Sequence, residues 1–165
     1  MATDPTTDRW RAWIAEKAPV FLLYARQCAR CEEDARDVVQ ESLAECWRRS
    51  GGAVPEAALV FATIRRRAID IGRSVDSRRR RESDHVSRTD TWFEEDFAAS
   101  DTHLAVASAL AGLPEPLRET VTLKLWADLT FPQIAAITGV PVPTATSRYR
   151  SAIDRLRDTL TPLFA

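Results

Sequence analysis

Apolar residues recur at intervals of three and four along most of the chain, which is the spacing of one face of an α-helix. The pattern predicts a first helix that ends near Cys28, a second from about Glu32 to Arg49, and a third that opens at Pro55. The Ser-Gly-Gly at residues 50–52 ends the second helix. Because no β-branched run alternates with polar residues between turn signals, we expect an all-α fold.

The helical period disappears between residues 74 and 100, where the chain is polar and highly charged. We interpret this stretch as a flexible linker. Periodicity resumes near Thr102, breaks at residues 112–114 and continues to about Ala127. The sequence thus predicts two small helical domains, residues 1–74 with three helices and residues 102–165 with four, joined by a charged linker over residues 75–101.

Residues 129–160 have the pattern of a helix-turn-helix. Thr130 and Gln133 have the spacing of a capping box, and Gly139 lies where the chain must turn sharply. Pro141 and Pro143 are compatible with the first turn of a long final helix. The alternative for this segment is an ordinary helical hairpin with a solvated polar face.

One face of the final helix is polar and basic near its start. Its polar residues there are Thr144, Thr146, Ser147, Arg148, Arg150 and Ser151. Small hydroxyls and arginines at a helix N-terminus suit contacts to phosphates and base edges in a major groove. This segment therefore favours nucleic acid as a partner.

The formal net charge of −1 over 165 residues counts against strong DNA binding by the chain alone. The distribution of charge is more informative than the sum. Acidic side chains cluster in the second helix at Glu32, Glu33, Asp34, Asp37, Glu41 and Glu45. Arginines cluster further on, at Arg65, Arg66, Arg67, Arg73 and Arg78 to Arg81. A basic stripe beside acidic surfaces indicates two kinds of partner, a polyanion and a protein.

The chain has no apolar run of about 20 residues and no apolar signal segment at its start, so we expect a cytoplasmic protein without membrane insertion. The cysteines Cys28, Cys31 and Cys46 include one CxxC pair, but no second pair completes a zinc site, and His85 and His103 lie in or beside the linker. We expect structural thiols, no metal, no cofactor and no catalytic residues. Neither a Gly-rich phosphate loop nor a Ser-His-Asp set is visible, which argues against an enzyme.

Several segments, taken in order, carry a family resemblance. They are Ala35 to Glu41 with Trp47, then Gly112-Leu113-Pro114, Leu117-Arg118-Glu119, Phe131 to Ala135 and Thr144 to Arg148. The chain resembles a bacterial RNA polymerase sigma factor of the extracytoplasmic-function (ECF) class, which keeps sigma regions 2 and 4 joined by a flexible linker. The resemblance covers nearly the whole chain. It implies a promoter-specificity subunit that binds core RNA polymerase and promoter DNA, with an anti-sigma factor as a further candidate partner.

In such proteins the second helix docks on the clamp of the largest polymerase subunit. The resemblance assigns polymerase binding to Asp37, Gln40 and Glu41, on the side of the helix away from the apolar stripe. The alternative for these residues is a solvated acidic face.

The third helix resembles the part that opens promoter DNA and contacts the minus-ten element. Four arginines, Arg65, Arg66, Arg67 and Arg73, would then hold phosphates. Phe61 would stack on an unpaired base or else pack in the core, and residues 50–55 would help to form a pocket for a flipped base. The chain departs from the family at residues 59–61, where relatives start with Trp-Leu, and has an arginine in place of an asparagine. The minus-ten preference therefore stays open.

By the same resemblance, the final helix would contact the minus-thirty-five element. Thr146, Ser147 and Arg150 would approach base edges, while Thr144 and Arg148 would position the DNA backbone. Residues 92–96 of the linker would thread toward the polymerase active-site cleft, or act only as a tether. Under this interpretation, reversing the charges of residues 65–67 weakens promoter opening and leaves polymerase binding intact.

Two other functions compete with this interpretation. A stand-alone helix-turn-helix regulator would bind duplex DNA tightly without polymerase. A redox or metal sensor would use Cys28, Cys31 and Cys46.

Overall fold

The computed structural model describes residues 4–79 and 101–165, and every regular element within these ranges is an α-helix. The expectation of an all-α fold is confirmed. The chain forms two compact units, Met1–Arg88 and Thr89–Ala165. The predicted contacts of residues 92–96 lie outside the described residues.

Unit 1 consists of α1 (Pro5–Cys28), α2 (Glu32–Arg49) and α3 (Ala57–Arg79), each packed on the other two. Asp4 caps α1 by accepting the Thr6 backbone N–H at 3.1 Å, ahead of a proline that needs no N–H partner. At the start of α2, the Cys31 Sγ accepts the Asp34 N–H at 3.4 Å. These caps explain why both helices begin where they do.

The third helix continues to Arg79, beyond the end expected at residue 74. Arg30, in the turn between α1 and α2, donates from its Nη2 to the Gly72 carbonyl at 2.9 Å and to the Asp76 carboxylate at 2.6 Å. This contact joins the last turns of α3 to a loop more than 40 residues earlier. Because the two ends of this contact are far apart in sequence, the local apolar periodicity could not predict that α3 continues to Arg79.

The core of unit 1 is aromatic at its centre. The Phe61 ring packs edge-on against Phe21 and Tyr24, with ring centroids 4.9 and 5.4 Å apart. All three side chains are buried, and edge-to-face pairs add to the burial of their apolar area. Val38 of α2 and Ile64 of α3 are buried as well, and each helix packs on the other two, so all three helices contribute to the core.

Unit 2 consists of α4 (Asp101–Ala111), α5 (Glu115–Leu125), α6 (Phe131–Thr138) and α7 (Val142–Phe164), with α7 packed on the other three. The buried centre of unit 2 includes Leu110, Val121, Leu123, Ile134, Ala145 and Ala152. Arg118 of α5 donates to the carbonyls of Leu110, Ala111 and Leu113 at 3.2, 2.8 and 2.9 Å. It thereby satisfies carbonyls that the end of α4 leaves open.

The predicted helix-turn-helix is formed by α6 and α7. Both bonds of the capping box are present: Gln133 N–H donates to Thr130 Oγ1 at 3.3 Å, and Thr130 N–H donates to Gln133 Oε1 at 2.9 Å. Gly139 ends α6 with φ of 71°, a left-handed conformation that glycine adopts without a Cβ clash. The turn therefore sets the direction in which α7 leaves α6.

Candidate protein and nucleic-acid interfaces

The outer face of α2 is polar, as the sequence predicted. Asp37, Gln40 and Glu41 are exposed, while Val38 and Val39 are buried on the opposite side. All three polar residues lie within two turns of a helix that packs on both α1 and α3. They form a rigid polar surface that a protein partner can reach.

A cluster of ion pairs joins α2 to α3 beside this surface and shares Glu41 with it, and we call it the Glu45 cluster. Its members are Glu41, Glu45, Arg49, Arg66 and Arg67. The Glu45 side chain is only 11% exposed. Its Oε1 accepts from Arg66 Nη2 at 2.7 Å and lies 3.1 Å from Arg49 Nη2. Its Oε2 accepts from Arg67 Nε and Nη2 at 3.0 and 2.6 Å.

The Glu45 cluster changes the interpretation of the arginines on α3. Arg67 donates to Glu41 and Glu45, and its side chain is mostly covered. Arg66 shares Glu45 but is 49% exposed, so its remaining N–H groups can reach solvent. Arg65 is half-buried and has an interaction within the protein, whereas Arg73 is exposed. The four predicted phosphate contacts thus differ in how accessible they are.

Phe61 is a core residue, which is the alternative that the sequence left open. It is 2% exposed and packed between two aromatic rings of α1. Its ring has no face open to an unpaired base. The expectation that Phe61 stacks on an unpaired base is therefore replaced by its role in the core, because the side of α3 that carries Phe61 faces α1.

Two apolar side chains on the outside of α3 were missed by sequence reasoning. Leu59 is 42% exposed and Ile69 is 37% exposed. Leu59 lies seven residues before Arg66 and Ile69 lies three after it, so a helix places all three on one side. The sequence did contain a signal for them. Helical spacing places Leu59 and Ile69 on the side of the charged Arg66 and away from the side of Val60 and Ile64, which is buried.

The loop over residues 50–55 has a defined shape. Gly51 and Gly52 have φ of 62° and 86°, and a Cβ on Gly52 would lie 3.5 Å from the Trp47 ring. Trp47 in turn packs on Trp10 with ring centroids 4.7 Å apart. The Ser50 hydroxyl donates to the Trp47 carbonyl at 3.0 Å. These contacts give residues 50–55 a defined conformation. The pocket for a flipped base in this loop stays a prediction.

The start of α7 presents the expected polar side chains. Ser147 and Arg150 are exposed and Thr144, Thr146 and Arg148 are half-buried, while Ala145 is buried on the side that faces the core. Thr146 donates its hydroxyl proton to the Val142 carbonyl at 3.0 Å. Its oxygen therefore remains available mainly as an acceptor.

Contacts that the sequence did not reveal hold α6 and α7 together. Phe131 of α6 packs edge-on against Tyr149 of α7, with ring centroids 5.5 Å apart. Lys124 of α5 lies 4.9 Å above the Phe131 ring and donates to the Leu129 carbonyl at 3.1 Å. These contacts fix the orientation at which α7 presents its polar face.

The three cysteines are free thiols in the structure. Cys31 caps α2, and the buried Cys46 Sγ lies 3.6 Å from the Thr63 hydroxyl. Among the residues that the structure describes, no three His, Cys, Asp or Glu side chains are grouped so that they could hold a metal ion. None of the described helices has the length and apolar character needed to cross a bilayer.

The Glu45 cluster makes an acid-sensitive contribution to stability. The hydrogen bond from Arg66, with further support from Arg67 and the charge of Arg49, lowers the pKa of Glu45 from 4.5 to about 2. Because the folded state holds the carboxylate ionised, the stabilisation is complete above pH 4.5 and is lost as the pH falls toward 2. A pKa unit corresponds to about 1.4 kcal/mol, so the fall from 4.5 to about 2 corresponds to a loss of about 3 kcal/mol.

Urea unfolding of wild type and Glu45→Gln between pH 6 and pH 2.5 would measure this contribution. The variant should be less stable at pH 6 and should lose less stability on acidification than wild type. Glu16→Gln is the matched control, since Glu16 is 69% exposed and its ion pair is with its sequence neighbour Lys17. Equal acid sensitivity in wild type and Glu45→Gln would contradict the assignment.

Comparisons with known proteins agree on one family. The family model for sigma-70, region 4 matches residues 103–156. The ECF RNA polymerase sigma factor RpoE of Cereibacter sphaeroides is 31% identical over 151 residues, which cover 87% of this chain and 80% of that protein. The ECF RNA polymerase sigma factor SigL of Mycobacterium tuberculosis is 31% identical over 158 residues, with 93% and 89% covered.

Two solved structures share the fold. The sigma factor RpoE from Bartonella quintana, in complex with the anti-sigma factor NepR, superposes with a TM-score of 0.73 at 19% identity, covering 93% of this chain and 97% of that chain. CnrH, in complex with the cytosolic domain of CnrY, superposes with a TM-score of 0.60 at 21% identity, covering 94% and 90%.

Proposed function

Because the chain belongs to the ECF RNA polymerase sigma factors, which direct core polymerase to promoters, we propose that its two helical units divide this work between them. Residues 1–74 act as sigma region 2 and bind core polymerase and the minus-ten element. Residues 102–165 act as region 4 and bind the minus-thirty-five element, and residues 75–101 link the two. The observation that carries this proposal is the 31% identity to an ECF sigma factor across 87% of the chain.

Core polymerase binds the exposed face of α2 through Asp37, Gln40 and Glu41. What supports this assignment is the combination of exposed polar groups with a rigid helix whose other side is buried. Because the helix already fixes the backbone that carries these groups, no backbone segment has to be ordered on binding, which favours a specific protein contact.

The minus-ten region of the promoter lies along the outer face of α3. The exposed Arg66 and Arg73 supply phosphate contacts, with Arg65 and Arg67 closer to the body of the unit. Leu59 and Ile69 give this face exposed apolar area beside the cations. Such a surface suits partly unstacked DNA, since it offers charge for the backbone and apolar contact for bases.

The minus-thirty-five element contacts the start of α7. Ser147 and Arg150 are the most exposed of the candidate side chains, and Thr146 retains an acceptor oxygen beside them. Thr144 and Arg148, which are half-buried, position the DNA backbone. Docking on polymerase raises the effective concentration of both DNA-binding surfaces, so a net charge of −1 is compatible with promoter binding.

The chain acts in the cytoplasm, performs no catalysis of its own and is controlled by an anti-sigma factor. The regulatory part of this proposal is supported by fold similarity to the sigma factor RpoE, which was solved in complex with the anti-sigma factor NepR.

Transcription by purified core polymerase tests the whole proposal. Genomic DNA is transcribed with core polymerase plus this chain, and promoters are identified by sequencing the 5′ ends of the transcripts. The chain should create specific start sites that core polymerase alone does not use. Tight operator binding by the free chain, with no new start sites, would instead identify a stand-alone regulator.

Arg150→Ala should lower run-off transcription from such a promoter by about tenfold, because one lost contact to a base edge costs about 1–3 kcal/mol. Arg157→Ala is the matched control on the same helix, since Arg157 lies two turns later and pairs with Asp154 at 3.2 Å. Polymerase binding should be unchanged in both variants. Equal transcription from the two variants would remove Arg150 from the DNA interface.

A further inference from the structure

Arg67 of α3 is shared by two carboxylates of α2 that differ greatly in exposure. The side chain of Glu45 is 11% exposed, whereas that of Glu41 is 59% exposed. Glu41 also belongs to the face that we assign to polymerase, and Arg67 is one of the four arginines that the family resemblance assigns to promoter DNA. One ion pair therefore connects the two proposed interfaces.

Each carboxylate occupies a different part of the Arg67 guanidinium. Glu45 Oε2 accepts from Nε at 3.0 Å and from Nη2 at 2.6 Å, so it holds one edge of the plane. Glu41 Oε2 accepts from Nη1 at 2.8 Å. A guanidinium carries five N–H donors in a rigid plane, so an anion on one edge fixes where the remaining donors point.

The two contacts also differ in how easily they exchange. Glu45 is held in place through its second oxygen by Arg66 and Arg49, and it lies behind the surface. Glu41 is in solvent and bonds Arg67 at one atom only. Exposed ion pairs contribute little free energy, so another anion can replace Glu41 at Nη1.

We propose that Glu45 is a positioning residue for Arg67, and that Glu41 occupies in the free protein the place that a DNA phosphate takes at Arg67 Nη1 in the promoter complex. Polymerase that binds Glu41 uncovers Nη1, and a phosphate that binds Nη1 releases Glu41. Because such coupling is reciprocal, each partner strengthens the binding of the other. This inference rests on the proposed function for the identity of the two partners.

The expected size of the coupling is about two- to fivefold in affinity, because it cannot exceed the contribution of one exposed ion pair. The coupling also predicts the direction of each change in affinity. Removing Glu41 should improve binding of the free chain to phosphates, and removing Arg67 should improve binding of Glu41 to polymerase.

Binding of the free full-length chain to a fluorescent single-stranded DNA oligonucleotide at low salt tests the first half. Glu41→Gln should bind about two- to fivefold more tightly than Asp37→Asn. The two variants each remove one negative charge from the same face of α2, but only Glu41 bonds Arg67 in the structure. Equal affinities would overturn the proposal, because a general charge effect would then explain both.

Binding to core polymerase tests the second half. Arg67→Gln should raise the affinity about two- to fivefold in the wild-type background and have no effect in the Glu41→Gln background. An equal effect in both backgrounds would overturn the coupling. If circular dichroism shows that Arg67→Gln does not fold, the comparison of Glu41→Gln with Asp37→Asn decides alone.

The outcome is separable from that of the proposed function. If wild type does not bind core polymerase, the proposed function fails, yet the comparison in the free chain still reports whether Glu41 masks Arg67. If polymerase binds and the two α2 variants have equal DNA affinity, only the present inference fails.

Discussion

Asp37→Arg is expected to abolish stable binding of the chain to core RNA polymerase, with a loss of affinity of at least about tenfold. Asp37 is exposed on the outer face of α2 and is not part of the Glu45 cluster, so the substitution should leave the fold intact. Placing a cation where the proposed interface has a carboxylate would produce like-charge contacts with the cations that a carboxylate would pair with, and such contacts cost several kcal/mol. Promoter-directed transcription should be lost with polymerase binding.

Co-elution of the chain with purified core polymerase on a sizing column measures this effect. Gln40→Ala, on the same face, should weaken binding by a smaller factor because it removes a neutral contact. Glu16→Arg is the control for charge reversal, since Glu16 is exposed on α1 of the same unit. Stoichiometric co-elution of Asp37→Arg would show that polymerase does not use this face.

Arg67→Glu is expected to destabilise unit 1 by about 3–5 kcal/mol, because it takes two donors from the Glu45 carboxylate, which is 11% exposed, and places a like charge beside it. The new carboxylate would lie beside Glu41 and Glu45, and Glu45 would lose the donors that hold its Oε2. Unlike the neutral Arg67→Gln, the reversed charge repels both carboxylates and so disturbs the packing of α2 on α3, and α2 carries the proposed polymerase face. We therefore expect loss of polymerase binding as well as promoter opening, in contrast to the sequence-based expectation for reversal of residues 65–67.

Thermal unfolding followed by circular dichroism measures the stability loss, which should lower the melting temperature by more than about 10 °C. Arg73→Glu is the matched control, because Arg73 is exposed on the same helix. It should melt close to wild type and bind polymerase normally, but open promoters poorly. Equal melting temperatures for the two variants would mean that the Glu45 cluster contributes little to the fold.

Local sequence signals predicted much of the architecture. The capping box at Thr130 and the turn at Gly139 depend on residues at most five positions apart, and both appear where the sequence placed them. The exposed side of α2 follows in the same way from helical periodicity. Such features are predictable because backbone geometry and short-range hydrogen bonds determine them.

The accessibility of the α3 side chains could not be predicted in this way. Phe61 and Leu59 are both apolar residues near the start of one helix, yet one is buried in the core and the other is 42% exposed. When the apolar stripe of a helix is wide, its periodicity does not specify which of the apolar residues face the core, because the helix can turn about its axis by the angle of one residue. The packing of α3 against α1 settles that rotation, through the rings of Phe21 and Tyr24.

The sequence by itself determined that this chain is helical, that it has a helix-turn-helix near its end, and that its family is that of the ECF sigma factors. Glu45 shows what only the tertiary structure decided. In the sequence it is one carboxylate in an acidic run, and in the fold it is the anion that binds arginines 21 and 22 residues away. Charge pairing at that separation depends on how two helices pack, which no pattern within either helix specifies.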